Sequence, residues 1–301
     1  MIGTAGAGDV DPRPLVICNG DTVIATEAFG RAGDTPVVLV MGATASMLWW
    51  PESFCRDLAR AGRFVVRYDN RDTGQSTVSA TAGPDYSVEE MAGDLLAVLD
   101  GYGFSDAHIV GMSLGGLIAQ MVALRQPDRV RSLTLIASEP LGWNGEALPG
   151  IGPKFLDHFA GFAQLDWTDR AAVSGFLLEI ARLSAGSAAP FDPSAAMRRI
   201  DAELDRAKDI SRAFNHGMVQ LREDWTGRAR DIVQPTLIIH GSEDPILPIE
   251  NGRAIHASIR QARLHVLDGI GHELPEAVLP DLASEIVGFT GTAPAASLRR
   301  T

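Results

Sequence analysis

The feature that most constrains this chain is a serine flanked by glycines, in Gly111-Met112-Ser113-Leu114-Gly115. The short apolar run at residues 107–110 predicts a strand before it, and residues 116–124 predict a helix after it. A sharp turn between strand and helix needs small neighbours and raises the serine hydroxyl above the edge of a sheet. The helix N-terminus beneath would favour negative charge on an attacked carbonyl oxygen. The pattern therefore predicts a nucleophilic Ser113.

The composition is that of an ordinary globular protein. The chain has 301 residues, of which 46% are hydrophobic and 21% charged, enough for one large domain with an insertion. A net charge of −12 argues against nucleic acids and anionic membranes as partners. Residues 1–14 lack the basic and apolar regions of a signal peptide, so a cytoplasmic location is expected. Cys18 and Cys55 are expected to be free, buried thiols.

Strands and helices alternate along much of the chain. Asn19-Gly20 lies between two apolar runs and predicts an antiparallel hairpin. Ser87 and Glu90 form a capping-box pattern at the start of a predicted helix. Further apolar runs predict strands at residues 37–41, 64–68, 107–110, 132–137, 236–240 and 264–267. Such alternation is typical of a doubly wound, mostly parallel sheet.

This alternation stops in the middle of the chain. Between residues 139 and 229 only helical segments are predicted, one with Asp192 as N-cap. We call this segment the helical insertion (residues 139–229). Its aromatic residues, among them Trp143, Phe159 and Phe162, predict an apolar, aromatic-lined pocket. The expected core comprises residues 15–138 and 230–291, and the expected disordered ends are residues 1–14 and 292–301.

The turn around Ser113 and three further stretches resemble the α/β-hydrolase superfamily. These stretches are Val37-Val38-Leu39-Val40-Met41-Gly42, Arg67-Tyr68-Asp69-Asn70-Arg71-Asp72-Thr73-Gly74 and Gly271-His272. The resemblance implies an α/β-hydrolase fold, in which a helical lid is inserted after the sixth parallel strand. More narrowly, the Met-Gly pair and the Asp-x-Arg-Asp-Thr-Gly stretch are similar to the anthracycline methylesterases. In two departures, Ala43 stands where glycine is usual in that family, and Leu114 where methionine is more frequent.

The serine needs a base and an orienting acid, which in this fold follow it in the order acid, then histidine. His272 is the predicted base, since it lies in a loop after the last strand, at the sheet edge where ligands bind. Asp244 is the predicted acid because it follows the preceding strand, and Pro245 disfavours helix there. Glu139 and Glu243 remain alternatives. Four other histidines are expected to be structural or to belong to the insertion: His158, His216, His240 and His265.

An attacked carbonyl oxygen would need two backbone amide donors. Leu114 directly follows the serine, and Ala43 follows Gly42 in the loop after the strand at residues 37–41. The residues expected to contact substrate are Gly42, Met112, Trp143, Phe159 and Phe162. Asp69 and Arg71 are expected to be structural. The sequence has no nucleotide-binding glycine pattern and no metal-ligand spacing, so neither a cofactor nor a metal is expected.

These residues and the resemblance together imply a serine hydrolase that cleaves a carboxylic ester of a small apolar molecule through an acyl-enzyme. The resemblance adds the methyl ester of an aromatic polyketide as a candidate substrate. The same triad would also serve a cofactor-free haloperoxidase (perhydrolase) or a C–C bond hydrolase. A non-catalytic small-molecule binder is a further alternative. A homodimer is compatible with the sequence.

Overall fold

The computed structural model describes residues 11–81 and 83–292, and its centre is an eight-stranded sheet. The strands are β1 (Arg13–Asn19), β2 (Thr22–Phe29), β3 (Thr35–Val40), β4 (Arg63–Tyr68), β5 (Ala107–Met112), β6 (Val130–Ile136), β7 (Thr236–Gly241) and β8 (Ala262–Leu267). Their order across the sheet is β1-β2-β4-β3-β5-β6-β7-β8. β2 runs antiparallel to β1 and β4, whereas β3 to β8 are parallel to one another.

The described part of the chain has eight α-helices. They are α1 (Glu52–Arg60), α2 (Val88–Gly101), α3 (Leu114–Arg125), α4 (Pro153–Phe159), α5 (Arg170–Ser184), α6 (Pro193–Arg206), α7 (Glu250–Ser258) and α8 (Leu279–Thr292). Of these, α1, α2, α3, α7 and α8 cover the two faces of the sheet, while α4, α5 and α6 belong to the helical insertion. Side chains of β3 alternate between the two sides: Val38 and Val40 pack with α2, α3 and α7, and Val37 and Leu39 pack with α1 and α8. Burial on both faces explains why this strand is continuously apolar.

The expected α/β-hydrolase fold is confirmed, including its hairpin. The hairpin turn lies one residue later than the Asn-Gly pair predicts: Asn19 is paired with Thr22, and Gly20, with φ +58°, and Asp21 form the turn. The capping box also forms, because the Ser87 hydroxyl accepts from the Glu90 amide and the Glu90 carboxylate accepts from the Ser87 amide. The insertion follows β6, the sixth strand of the chain. Because β1 and β2 form the antiparallel hairpin, β6 is only the fourth of the six parallel strands, and not the sixth as expected.

Two expectations are corrected at the edge of the sheet where β1 lies. β1 already begins at Arg13, so Arg13 and Pro14 are paired rather than disordered. Cys18 is exposed because β1 is an edge strand of the sheet. Cys55 is buried as expected, and its burial raises the pKa of the thiol to about 12. The disorder expected for residues 1–10 and 293–301 lies outside the described residues.

Between β6 and β7 the structure contains helices but no strand in its described residues. Asp192 caps α6 as expected, accepting from the amides of Ser194 and Ala195. The insertion contacts the loops that follow β3, β7 and β8, at the carboxyl edge of the sheet. No helix in the described part of the chain is both long and apolar enough to span a membrane.

Candidate active site

Ser113 occupies a strained turn between β5 and α3. Its backbone has φ +52° and ψ −122°, a conformation that a residue with a side chain rarely adopts. A Cβ at Gly111 would collide with the backbone of Gly115, and one at Gly115 would collide with the carbonyl of Val40. The Ser113 amide donates to the Ile136 carbonyl of β6 at 2.9 Å. Both flanking glycines are therefore required for the turn that presents the hydroxyl.

The segment after β3, which we call the β3 loop (residues 41–46), packs directly on this serine. A Cβ at Gly42 would lie 2.9 Å from the Ser113 Cβ, so only glycine allows this approach. Ala43 follows Gly42 and lines the same cavity as Ser113. Leu114 is the first residue of α3, where backbone amides have no intrahelical acceptor, and its side chain packs on the core. Of the two predicted amide donors, Leu114 thus directly follows the serine, and Ala43 directly follows the glycine that packs on it.

His272 and Asp244 are brought together by the loops after β8 and β7. The Asp244 Oδ2 lies 2.7 Å from the His272 Nδ1. The Oδ1 of the buried Asp244 accepts from the amides of Ile246 and Leu247 at 2.9 and 2.8 Å. A carboxylate can only accept, so Nδ1 carries the proton and Nε2 is left as the basic nitrogen.

Ser113 and His272 line one cavity, together with Gly42, Ala43 and Met112. The described part of the chain gives the Ser113 hydroxyl no hydrogen bond. Hydrogen bonds between a nucleophile and its base are often long until substrate binds, and tighten in the substrate complex. The shared cavity therefore leaves room for a reacting carbonyl beside both side chains.

The two alternative acids have other positions. The Glu243 carboxylate accepts from the Ser187 amide and hydroxyl at 2.8 and 2.6 Å. Glu139 follows β6 and is exposed to solvent. Among the described residues, neither carboxylate hydrogen-bonds to His272, which is bonded to Asp244 instead.

The cavity has a volume of about 820 Å³ and is lined mostly by apolar side chains. Phe159 and Phe162 of the insertion line it as expected. Trp143 is not among the described residues that line it, and its indole donates to the Glu146 carbonyl at 2.7 Å. Further aromatic residues of the lining are Trp49, Phe155, Trp167 and Phe214.

Several residues near the site could not be chosen from the sequence. The Glu203 carboxylate of α6 lines the cavity and accepts from the Ser46 amide and hydroxyl at 3.2 and 2.6 Å. Burial is the main reason why the pKa of Glu203 is raised to about 7. His216, expected only to belong to the insertion, lies against the β3 loop. No pattern in the sequence signals either contact, because both join segments far apart in the chain.

The loop after β4 is tied to its surroundings by ion pairs. Asp69 is fully buried, pairs with Arg206 at 2.6 Å and accepts from the Met47 amide at 2.9 Å. Arg71 pairs with Asp94 at 2.6 Å. Within the described residues, no group of three or more His, Cys, Asp or Glu side chains is placed to hold a metal ion.

Residues 35–276 match the model of the alpha/beta hydrolase fold family, and the chain belongs to that family. It is 33% identical over 293 residues to the rhodomycin D methylesterase DnrP of Streptomyces peucetius, covering 92% of this chain and 98% of that protein. The identity and coverage are the same for the rhodomycin D methylesterase DauP of Streptomyces sp. strain C5. The solved esterase EaEST from Exiguobacterium antarcticum shares the fold, with a TM-score of 0.76 and 22% identity over 92% of this chain and 99% of that chain.

Proposed function

We propose that this protein is a serine hydrolase of carboxylic esters, with Ser113, His272 and Asp244 as its catalytic triad. The observation that carries the proposal is the 2.7 Å contact between Asp244 and His272 at a cavity that Ser113 also lines. The strained turn that presents Ser113 is a second support, since such strain persists only where the surrounding fold enforces it.

In the proposed mechanism the Ser113 Oγ attacks the ester carbonyl carbon while the His272 Nε2 takes the hydroxyl proton. The amides of Ala43 and Leu114 donate to the oxygen that becomes negative. Collapse of the tetrahedral intermediate transfers the proton from His272 to the departing alcohol and leaves an acyl group on Ser113. Water then loses a proton to His272 and attacks the acyl group, and the acid is released as Ser113 recovers its proton. Asp244 orients the imidazole and stabilises its charged form.

The proposed substrate is a methyl ester of an apolar aromatic molecule of the polyketide type. Two kinds of observation support it. The cavity is large and lined by aromatic rings, including Phe159 and Phe162. Two relatives that are 33% identical over 92% of this chain are named rhodomycin D methylesterases. The catalytic steps need no cofactor.

The test is hydrolysis of a short-chain p-nitrophenyl ester by the wild type and by Ser113→Ala. We expect Ser113→Ala to lose several orders of magnitude in kcat, because only substrate binding and the amide donors remain. Ser284→Ala, on the exposed side of α8, is the matched control and should keep wild-type turnover. Unchanged turnover in Ser113→Ala would overturn the proposal. Release of methanol and a free acid from an aromatic methyl ester would establish the proposed substrate class.

A further inference from the structure

The β3 loop is held in place partly by the helical insertion. Thr44 has φ +64°, in the left-handed region that a β-branched residue seldom adopts. Its amide donates to the His216 Nδ1 at 3.1 Å. This amide belongs to the peptide that joins Thr44 to Ala43, the residue proposed to donate to the substrate oxygen. The hydrogen bond therefore fixes a peptide plane directly beside the proposed donor.

The other ring nitrogen of His216 is also used. The Nε2 lies 2.8 Å from the Arg71 carbonyl, to which it donates. With the proton on Nε2, the ring is neutral and Nδ1 is free to accept from Thr44. The ring is buried and meets the Tyr86 ring edge-on, with centroids 6.4 Å apart. In this one tautomer, His216 makes hydrogen bonds to two backbone groups, the Thr44 amide and the Arg71 carbonyl.

Neighbouring hydrogen bonds hold the residue next to His216 and both ends of the β3 loop in place. The Asn215 side chain donates to Asp72 at 2.8 Å, which attaches the adjacent residue of the insertion to the loop after β4. The Met41 carbonyl accepts from Asn70 at 2.9 Å, which holds the start of the β3 loop. Ser46, at its end, is bound by Glu203. The middle of the loop, where the proposed donor lies, depends on His216.

We infer that His216 is a positioning residue. By accepting a hydrogen bond from the Thr44 amide, it orients the oxyanion hole, which is the pair of amide donors proposed at Ala43 and Leu114. The inference rests on the proposed function, since it assigns His216 a part in the reaction of Ser113. The helical insertion then does more than enclose the cavity. The contact of the buried His216 ring with the β3 loop determines how well the Ala43 amide is placed to donate to the negatively charged oxygen of the intermediate.

The experiment compares His216→Asn with His216→Gln. The amide oxygen of asparagine stands near the position of Nδ1 and can accept from Thr44, whereas the amide nitrogen of glutamine stands near Nε2 and can donate to Arg71. We expect His216→Asn to keep kcat within about threefold, and His216→Gln to lose about 10- to 100-fold in kcat with little change in KM. Both variants bury one amide, so each is a control for the other.

A second readout uses an aryl trifluoromethyl ketone, which forms a negatively charged hemiketal with the serine. Its Ki should rise in His216→Gln by the same factor as kcat/KM falls, while the Ki of the product acid stays constant. If His216→Gln does not fold, His216→Asn decides alone: near-wild-type kcat supports the inference, and a tenfold loss overturns it.

Equal losses of kcat in the two variants, or losses that follow their melting temperatures, would also overturn the inference. Ser113→Ala is measured in the same series. If Ser113→Ala loses turnover while the two His216 variants behave alike, the proposed function stands and only the role of His216 is wrong.

Discussion

One carboxylate oxygen of Asp244 faces two imidazoles, lying 2.7 Å from the His272 Nδ1 and 3.5 Å from the His240 Nε2. The His240 Nε2 is only 2.7 Å from the Leu247 carbonyl, so its proton is directed there. Burial lowers the pKa of His240 and keeps that ring neutral. The negative charge of Asp244 is therefore available to His272, which is the histidine that would become charged during ester cleavage.

Replacing the acid should remove most of the activity without unfolding the protein. In Asp244→Asn we expect kcat to fall about 10⁴-fold, because an amide that donates to Nδ1 would hold His272 in the wrong tautomer. Steady-state hydrolysis of a p-nitrophenyl ester measures this. Glu139→Gln is the matched control for the alternative acid after β6 and should stay close to wild type. A large loss in Glu139→Gln with little loss in Asp244→Asn would reassign the acid.

The close approach of the β3 loop to the serine gives a second prediction. In Gly42→Ala the new methyl group would lie 2.9 Å from the Ser113 Cβ and 3.2 Å from the Met112 carbonyl, so the loop must move. We expect kcat to fall about 10- to 100-fold, since amide donors act only when well placed. Gly175→Ala on the exposed face of α5 meets no atom within 4 Å and should leave kcat unchanged. Equal activity of the two variants would contradict the prediction.

Local patterns in the sequence predicted much of this structure, because they act over a few residues. The glycines around Ser113, the hairpin at Asn19-Gly20 and the box at Ser87 each need only their own neighbours. The contacts of Glu203 and His216 join segments more than 150 residues apart, and no periodicity or spacing encodes them. For the same reason the sequence could not tell which aromatic rings of the insertion would line the cavity.

Those aromatic rings give a third prediction. Phe162 lines the cavity and lies 5.0 Å from the Phe214 ring, whereas Trp143 is outside the lining. We expect Phe162→Ala to raise KM about tenfold for an aromatic ester and much less for an acetate ester, because it removes apolar contact from the larger substrate. Trp143→Ala serves as control and should leave the ratio of the two KM values unchanged. A shift of this ratio in Trp143→Ala alone would mean that the bulky substrate binds elsewhere.

The buried carboxyl of Glu203 should make the stability of the protein depend on pH. Burial is the largest cause that raises its pKa from 4.5 to about 7, and the nearby Asp69 adds to the rise, while the bonds from Ser46 and the charge of Arg206 lower it. Between these two pH values the folded chain holds this proton more tightly than the unfolded chain. The stabilisation that protonated Glu203 gives the folded state is therefore complete below pH 4.5 and is lost as the pH rises through about 7.

Glu203→Gln removes this titration. We expect the free energy of unfolding of the wild type, relative to Glu203→Gln, to fall by up to about 3 kcal/mol between pH 4.5 and pH 7, as urea unfolding at a series of pH values would measure. Ser46→Ala is a second variant with a different expectation. It removes a hydroxyl that stabilises the ionised carboxylate, so the loss of stability should move to higher pH. A constant difference between wild type and Glu203→Gln at every pH would mean that Glu203 does not titrate in this range.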